Sequence, residues 1–139
     1  MKIREVMDKP IFISPESNRS QILSIVKKHP KTVLFIVADN ERKFLGDIHE
    51  NDLFYMLIPD EQYEDIGIEL AFDLQKKFFA KTAKEIMRKH DVNCKQDDDI
   101  QDAMMKFAQE EVNEMPVLDK DEKVVGVINQ GILLRCIKL

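Results

Sequence analysis

The stretch Glu114-Met115-Pro116-Val117-Leu118-Asp119-Lys120-Asp121-Glu122-Lys123-Val124-Val125-Gly126-Val127-Ile128 decides the fold. An apolar run, a charged turn and a second apolar run holding one glycine read as two strands joined by a hairpin-type turn. The pattern also stands 80 positions earlier: Val37-Ala38-Asp39 matches Val117-Leu118-Asp119, and Phe44-Leu45-Gly46 matches Val124-Val125-Gly126. Working outward at the same offset, Glu5-Val6-Met7 matches Glu85-Ile86-Met87 and Leu53 matches Leu133. A constant offset over most of a chain marks an internal duplication.

Each copy has the same order of parts. A short amphipathic piece ends in Met7 or Met87, and an extended stretch follows, Ile11-Phe12-Ile13 or Val92-Asn93-Cys94. Polar residues then lead into a helix, with Ser17 in the first copy and Asp98 or Asp99 in the second as candidate N-caps. Ile100, Ala103, Met104, Phe107 and Ala108 recur at helical spacing, and Ile22, Leu23, Ile25 and Val26 supply the matching stripe. The strand pair comes next, and helices over 52–58 and 132–137 close the copies. Between them, Tyr63, Ile66, Leu70, Leu74 and Phe78 predict an amphipathic connecting helix. The predicted organisation is a first repeat over 1–58, a helical connector over 59–81 and a second repeat over 82–139. One repeat has too little core to stand alone. The expected fold is therefore α+β, two β-α-β-β-α halves related by a pseudo-twofold axis.

Composition narrows the function. The chain has 139 residues, 44% hydrophobic and 34% charged, with a formal net charge of −5. Lys and Arg are scattered among Asp and Glu, which argues against nucleic acid as a partner. No apolar run is long enough to span a bilayer, so no membrane partner is expected. The N-terminus lacks the features of a secretory signal, so the expected location is cytoplasmic. Cys94 and Cys136 form no CxxC pair and share no ligand spacing with His29, His49 or His90. They are expected to be reduced, with no metal bound. Asp97-Asp98-Asp99 lacks the glycine and distal glutamate of a calcium loop. The four glycines are unclustered, with no phosphate-binding loop and no Gly-x-Ser-x-Gly elbow. No catalytic residues and no enzyme activity are expected.

Three features resemble the cystathionine-β-synthase (CBS) domain, here as a tandem pair or Bateman module. Val6-Met7 and Ile86-Met87 look like the family's hydrophobic-Met start. Glu114 to Asp119 resembles its x-Leu-Pro-Val-Val-Asp strand. Gly46-Asp47-Ile48-His49-Glu50-Asn51-Asp52-Leu53 resembles its Gly-Ile-Val-Thr-x-x-Asp-Leu segment. The resemblance implies a regulatory module that binds AMP, ADP, ATP or S-adenosylmethionine in a cleft between repeats and modulates a partner protein. These are regulatory ligands, and no resident cofactor is implied. It also implies a homodimer through the closing helices, here carrying Phe54, Leu57, Leu133 and Ile137. The chain begins and ends with the repeats, so the output is expected to be a partner protein or self-association.

In the family the Asp of that segment bonds the ribose hydroxyls, and the Thr or Ser three residues earlier contacts ribose or phosphate. The first repeat retains the acid as Asp52 and has His49 at the Thr position. The second has Asn129 and Ile132. The resemblance therefore implies a ligand site at Asp52, His49 and Ile48, with Ile11, Phe12, Ile13 and Ile36 beside the base. Structural readings stand next to these. Asp52 begins a predicted helix, where an acid suits the positive end of the dipole. His49 fits a strand end, the apolar residues fit ordinary core, and Lys2, Arg4 and Lys95 fit either phosphate contacts or scattered surface charge. The alternative function is a ligand-free interaction module with decayed nucleotide sites.

Overall fold

The computed structural model describes residues 1–58, 77 and 79–139. The architecture is mixed α+β. The elements are a 3-10 turn at Ile3–Glu5, β1 (Phe12–Ile13), α1 (Arg19–Lys28), β2 (Leu34–Ala38), β3 (Phe44–His49) and α2 (Glu50–Leu57). There follow α3 (Ala83–Ile86), β4 (Cys94–Lys95), α4 (Ile100–Glu110), β5 (Glu114–Leu118), β6 (Val124–Asn129) and α5 (Gln130–Leu134). Two three-stranded sheets run β1-β2-β3 and β4-β5-β6. β1 lies parallel to β2, with Phe12 opposite Ile36 and Ile13 opposite Val37. β4 lies parallel to β5, and β5 runs antiparallel to β6 with an irregularity at Val117/Leu118. The predicted connector over 59–81 falls mostly outside the described residues; of its described part, Lys77 and Phe79 are helical.

The chain divides into two compact units. One is Ile11–Ala38 with Leu45–Lys89, and it carries most of the first repeat. The other is Met1–Pro10, Asp39–Phe44 and His90–Leu139, and it carries most of the second. The opening segment of each repeat thus belongs to the unit of the other. The physical reason is a pair of backbone hydrogen bonds. Asp47 and Arg88 exchange N–H···O bonds of 3.0 and 2.8 Å, and Asp8 and Val127 exchange bonds of 2.9 and 3.0 Å. Each opening segment completes the unpaired backbone of a strand that its own repeat does not contain.

The core of the first-repeat unit gathers Ile13, Ile22, Phe35, Val37, Ile48, Leu53 and Met56 with Ala80, Ala83 and Ile86. That of the second-repeat unit gathers Ile3, Cys94, Ile100, Ala103, Phe107, Met115, Val117, Ile128 and Leu133. The N-cap of α1 is Asn18, one residue beyond the expected Ser17. The Asn18 side chain accepts from the Gln21 amide and the Gln21 side chain accepts from the Asn18 amide, both at 2.9 Å. This reciprocal pair satisfies two amides, which serine at 17 would not reach. Ser17 is buried, and its carbonyl accepts from the Ala83 amide.

Asp39 and Asp119 recur because they build the turns. Asp39 Oδ1 accepts from the amides of Glu41 and Lys43 at 2.9 and 3.0 Å, and Asp119 Oδ1 from those of Asp121 and Lys123 at 2.8 and 3.0 Å. Each turn places a non-glycine residue in the left-handed region, Arg42 and Glu122, both at φ 64°. The aspartate bonds offset that conformational cost.

Each unit leaves an apolar groove beside its closing helix. Val26, Glu50, Leu53, Phe54, Leu57 and Ile58 line one of about 430 Å³. Met104, Phe107, Ala108, Gln130, Leu133, Leu134 and Ile137 line one of about 230 Å³. Phe54 is exposed, Leu57 is half-buried, and Ile137 is exposed beyond the end of α5. Leu133 is not: it turns into the core, and Leu134 takes the exposed position.

Gly46 and Gly126 occupy equivalent places, each the third residue of its strand and each against an opening segment. A Cβ on Gly46 would lie 2.5 Å from the Arg88 carbonyl oxygen, which the backbone pairing holds in place. A Cβ on Gly126 would strike the Met7 side chain, which can move, with the Asp8 carbonyl at 3.1 Å. Both alanine substitutions should destabilise, within the roughly 1–3 kcal/mol range of overpacking. Gly46→Ala should cost more than Gly126→Ala in denaturant unfolding. Equal costs would show that the opening segments are not held as described.

Candidate functional site

The candidate site is built on the start of α2. His49 is the N-cap, and its Nδ1 accepts from the Asn51 amide at 3.2 Å. The His49 amide donates to Asp52 Oδ2 at 3.3 Å, closing a capping box. The strand hands over directly to the helix here, so two side chains satisfy amides that α2 cannot satisfy itself. Asp52 is buried, and its second oxygen is taken as well: Lys77 Nζ lies 2.7 Å from Oδ1. Both carboxylate oxygens are therefore engaged.

Sequence reasoning missed Lys77. It adjoins Phe78, the last residue of the connector's predicted apolar stripe, and nothing in the local pattern links it to Asp52. The signal is the tertiary proximity of the connector's end to the first turn of α2.

The other site residues divide by the alternation of strand faces. Ile13 and Ile48 have essentially no accessible surface and sit in the core cluster with Ile22, Leu53 and Met56. Ile11, half-buried, packs against the same cluster. These three pack with the helices of their own unit. Phe12 lies on the opposite strand face, opposite Ile36 in register. Phe12 is half-buried and Ile36 fully buried.

In the second repeat Asn129 is the N-cap of α5, its Oδ1 accepting from the Ile132 amide at 2.8 Å. Ile132 is half-buried against its unit's core. The basic residues considered for phosphate contacts are paired instead. Lys2 lies 3.0 Å from Asp99, Arg4 2.6 Å from Asp97, and Lys95 4.0 Å from Glu122. The hydrogen bond to Asp99 raises the Lys2 pKa, and the same bond lowers that of Asp99.

A family comparison identifies the duplication. The CBS domain family matches residues 3–58 and 83–139. The chain belongs to the CBS domain family. Solved structures share the fold of this CBS pair. The structure of CBSX2 in complex with AMP, a protein of Arabidopsis thaliana, has a TM-score of 0.75 at 18% identity and covers 97% of this chain and 94% of that one. The CBS domain pair of protein MJ0100, in complex with 5′-methylthioadenosine and S-adenosyl-L-methionine, has a TM-score of 0.73 at 19% identity, covering 98% and 94%. The CBS domain of a membrane protein from Sphaerobacter thermophilus has a TM-score of 0.75 at 19% identity, covering 100% and 89%. Among curated sequences, an uncharacterized protein of Methanocaldococcus jannaschii, MJ1426, is 20% identical over 99% of this chain and 91% of its own length. A homoserine O-acetyltransferase of Methanosphaera stadtmanae is 33% identical over 73 residues, 51% of this chain and 15% of that one. That of Methanohalobium evestigatum is 25% identical over 64% of this chain and 19% of its own length. The chain thus spans a fifth or less of the acetyltransferases it matches.

The thiols of this CBS pair differ in environment. Cys94 is buried, with its Sγ directed at the Pro116 carbonyl, whereas Cys136 is half-buried on the closing segment. Burial, reinforced by the charge of Asp98, pushes the Cys94 thiol from 9.0 up to about 12. The unfolded thiol loses its proton near pH 9, and the folded one retains it. Its contribution to stability is therefore whole below pH 9 and is lost as pH rises from 9 toward 12. A thiol reagent at pH 8 should modify Cys136 first and reach Cys94 only on unfolding. Equal rates in the native protein would contradict this placement.

Proposed function

We propose that the chain is a regulatory module, not an enzyme, that binds an adenosine-containing ligand at Asp52 and modulates a partner protein. AMP, ADP, ATP and S-adenosylmethionine are the ligands proposed. The observation that carries the reading is Asp52 itself. It is the acid of the family's ribose-binding segment, and the capping box holds it at a defined orientation. The ligand-bound relatives, one with AMP and one with 5′-methylthioadenosine and S-adenosyl-L-methionine, support the same class of ligand. In this reading Asp52 accepts from the ribose hydroxyls, His49 stands beside them, and Phe12 and Ile36 form the base side. Ile132 accepts nothing at the equivalent position of the second repeat, so one ligand per chain is proposed. That same isoleucine is the feature that favours the alternative, a ligand-free interaction module with decayed nucleotide sites.

Charge-assisted bonds contribute about 1.5–3 kcal/mol each. The loss of one such bond alone is a factor of about ten to a hundred, so Asp52→Ala should weaken ligand binding at least tenfold in calorimetric titration. Ile132→Ala should lower stability by removing packed atoms and leave affinity unchanged. Equal affinity of Asp52→Ala and the parent would refute the ribose role. Absence of binding to any of the four ligands by the parent would favour the interaction module.

Self-association through the closing helices belongs to the same proposal. Phe54 is exposed at the groove of its unit, and Leu134 and Ile137 at the groove of theirs, and an exposed apolar groove favours a partner. Sedimentation at micromolar concentration should give a dimer, and Phe54→Glu should give a monomer. A monomeric parent would count against it.

A further inference from the structure

Lys77 sets the charge of the ribose position. Its ammonium lies 2.7 Å from Asp52 Oδ1, about a third exposed, against a carboxylate with 8% of its side chain accessible. Nothing in the family segment 46–53 supplies this cation; it comes from the end of the connector. Without it, a ligand would meet a bare buried carboxylate. Such a carboxylate repels a phosphorylated ligand and attracts a positively charged one. With Lys77 in place the pair is neutral, and the ammonium has two further N–H donors to offer an anion.

We infer that Lys77 is a specificity-determining residue that makes the Asp52 site select adenosine ligands with an anionic 5′ group over the cationic sulfonium of S-adenosylmethionine. The inference rests on the adenosine-ligand reading above and adds the charge class. The magnitude follows from Coulomb's law. A unit charge about 6 Å away, at an effective dielectric constant of about 20, changes affinity by about a hundredfold. The sign is opposite for a 5′-phosphate and a 5′-sulfonium, so the ratio of the two affinities is the sensitive readout. A general loss of packing would weaken both ligands together and leave the ratio where it was.

The test is calorimetric titration of AMP and of S-adenosylmethionine into the parent, Lys77→Met and Lys77→Arg, each checked for folding by thermal unfolding. The parent should prefer AMP. Lys77→Met should lower the AMP to S-adenosylmethionine affinity ratio at least tenfold, and Lys77→Arg should preserve it. Lys77→Gln replaces Lys77→Met if the latter does not fold. The parent's own preference and the weakening of its AMP affinity by added salt need no variant. A parent that prefers S-adenosylmethionine, or a ratio unmoved by Lys77→Met, would overturn this inference and leave the adenosine site standing. Failure of both ligands to bind the parent and all variants would overturn the two readings together.

Discussion

Four backbone hydrogen bonds hold the design together: the reciprocal pairs Asp47–Arg88 and Asp8–Val127. Each attaches an opening segment to the fourth residue of a strand, immediately after a glycine. The glycine is required because the opening segment's backbone or methionine lies where a side chain would be. Repetition of this contact at positions 80 apart explains why Met7, Met87, Gly46 and Gly126 recur together in the sequence. They are two halves of the same joint. The joint also explains why each compact unit borrows its opening segment from the other repeat. In the first-repeat unit it gains an ion pair, with Arg88 Nε 2.9 Å from the buried Asp47 carboxylate; the equivalent place in the second-repeat unit is Val127.

The helix that follows each glycine-bearing strand inherits its position from that joint. α2 and α5 start without an intervening loop, so the residue at the turn must cap the helix with its own side chain. His49 and Asn129 both do so. Asp52 is then one turn into α2, where it closes the capping box and pairs with Lys77. The box fixes the carboxylate's orientation, and a fixed carboxylate loses less entropy on accepting a ligand. The second repeat keeps the N-cap, as Asn129, and has Ile132 where the first has Asp52.

The sequence by itself determined the duplication, the α+β order of elements, and the distinction between a repeat with an acid at 52 and one with isoleucine at 132. These rest on residue type and spacing along the chain, which are local. It also showed that Asp39 and Asp119 belong to charged turns, though their hydrogen bonds to the turn amides form only in the folded chain. Three things were decided by tertiary structure alone. Alternation of strand faces sent Ile13 and Ile48 into the core and left Phe12 with Ile36 on the other face; a run of apolar residues looks the same whichever face is covered. The exchange of opening segments depends on backbone pairing across some 40 to 120 positions, which no short pattern encodes. Lys77 reaches Asp52 only because the chain folds back on itself, and a lysine beside an apolar stripe is, from sequence, one solvated charge among many.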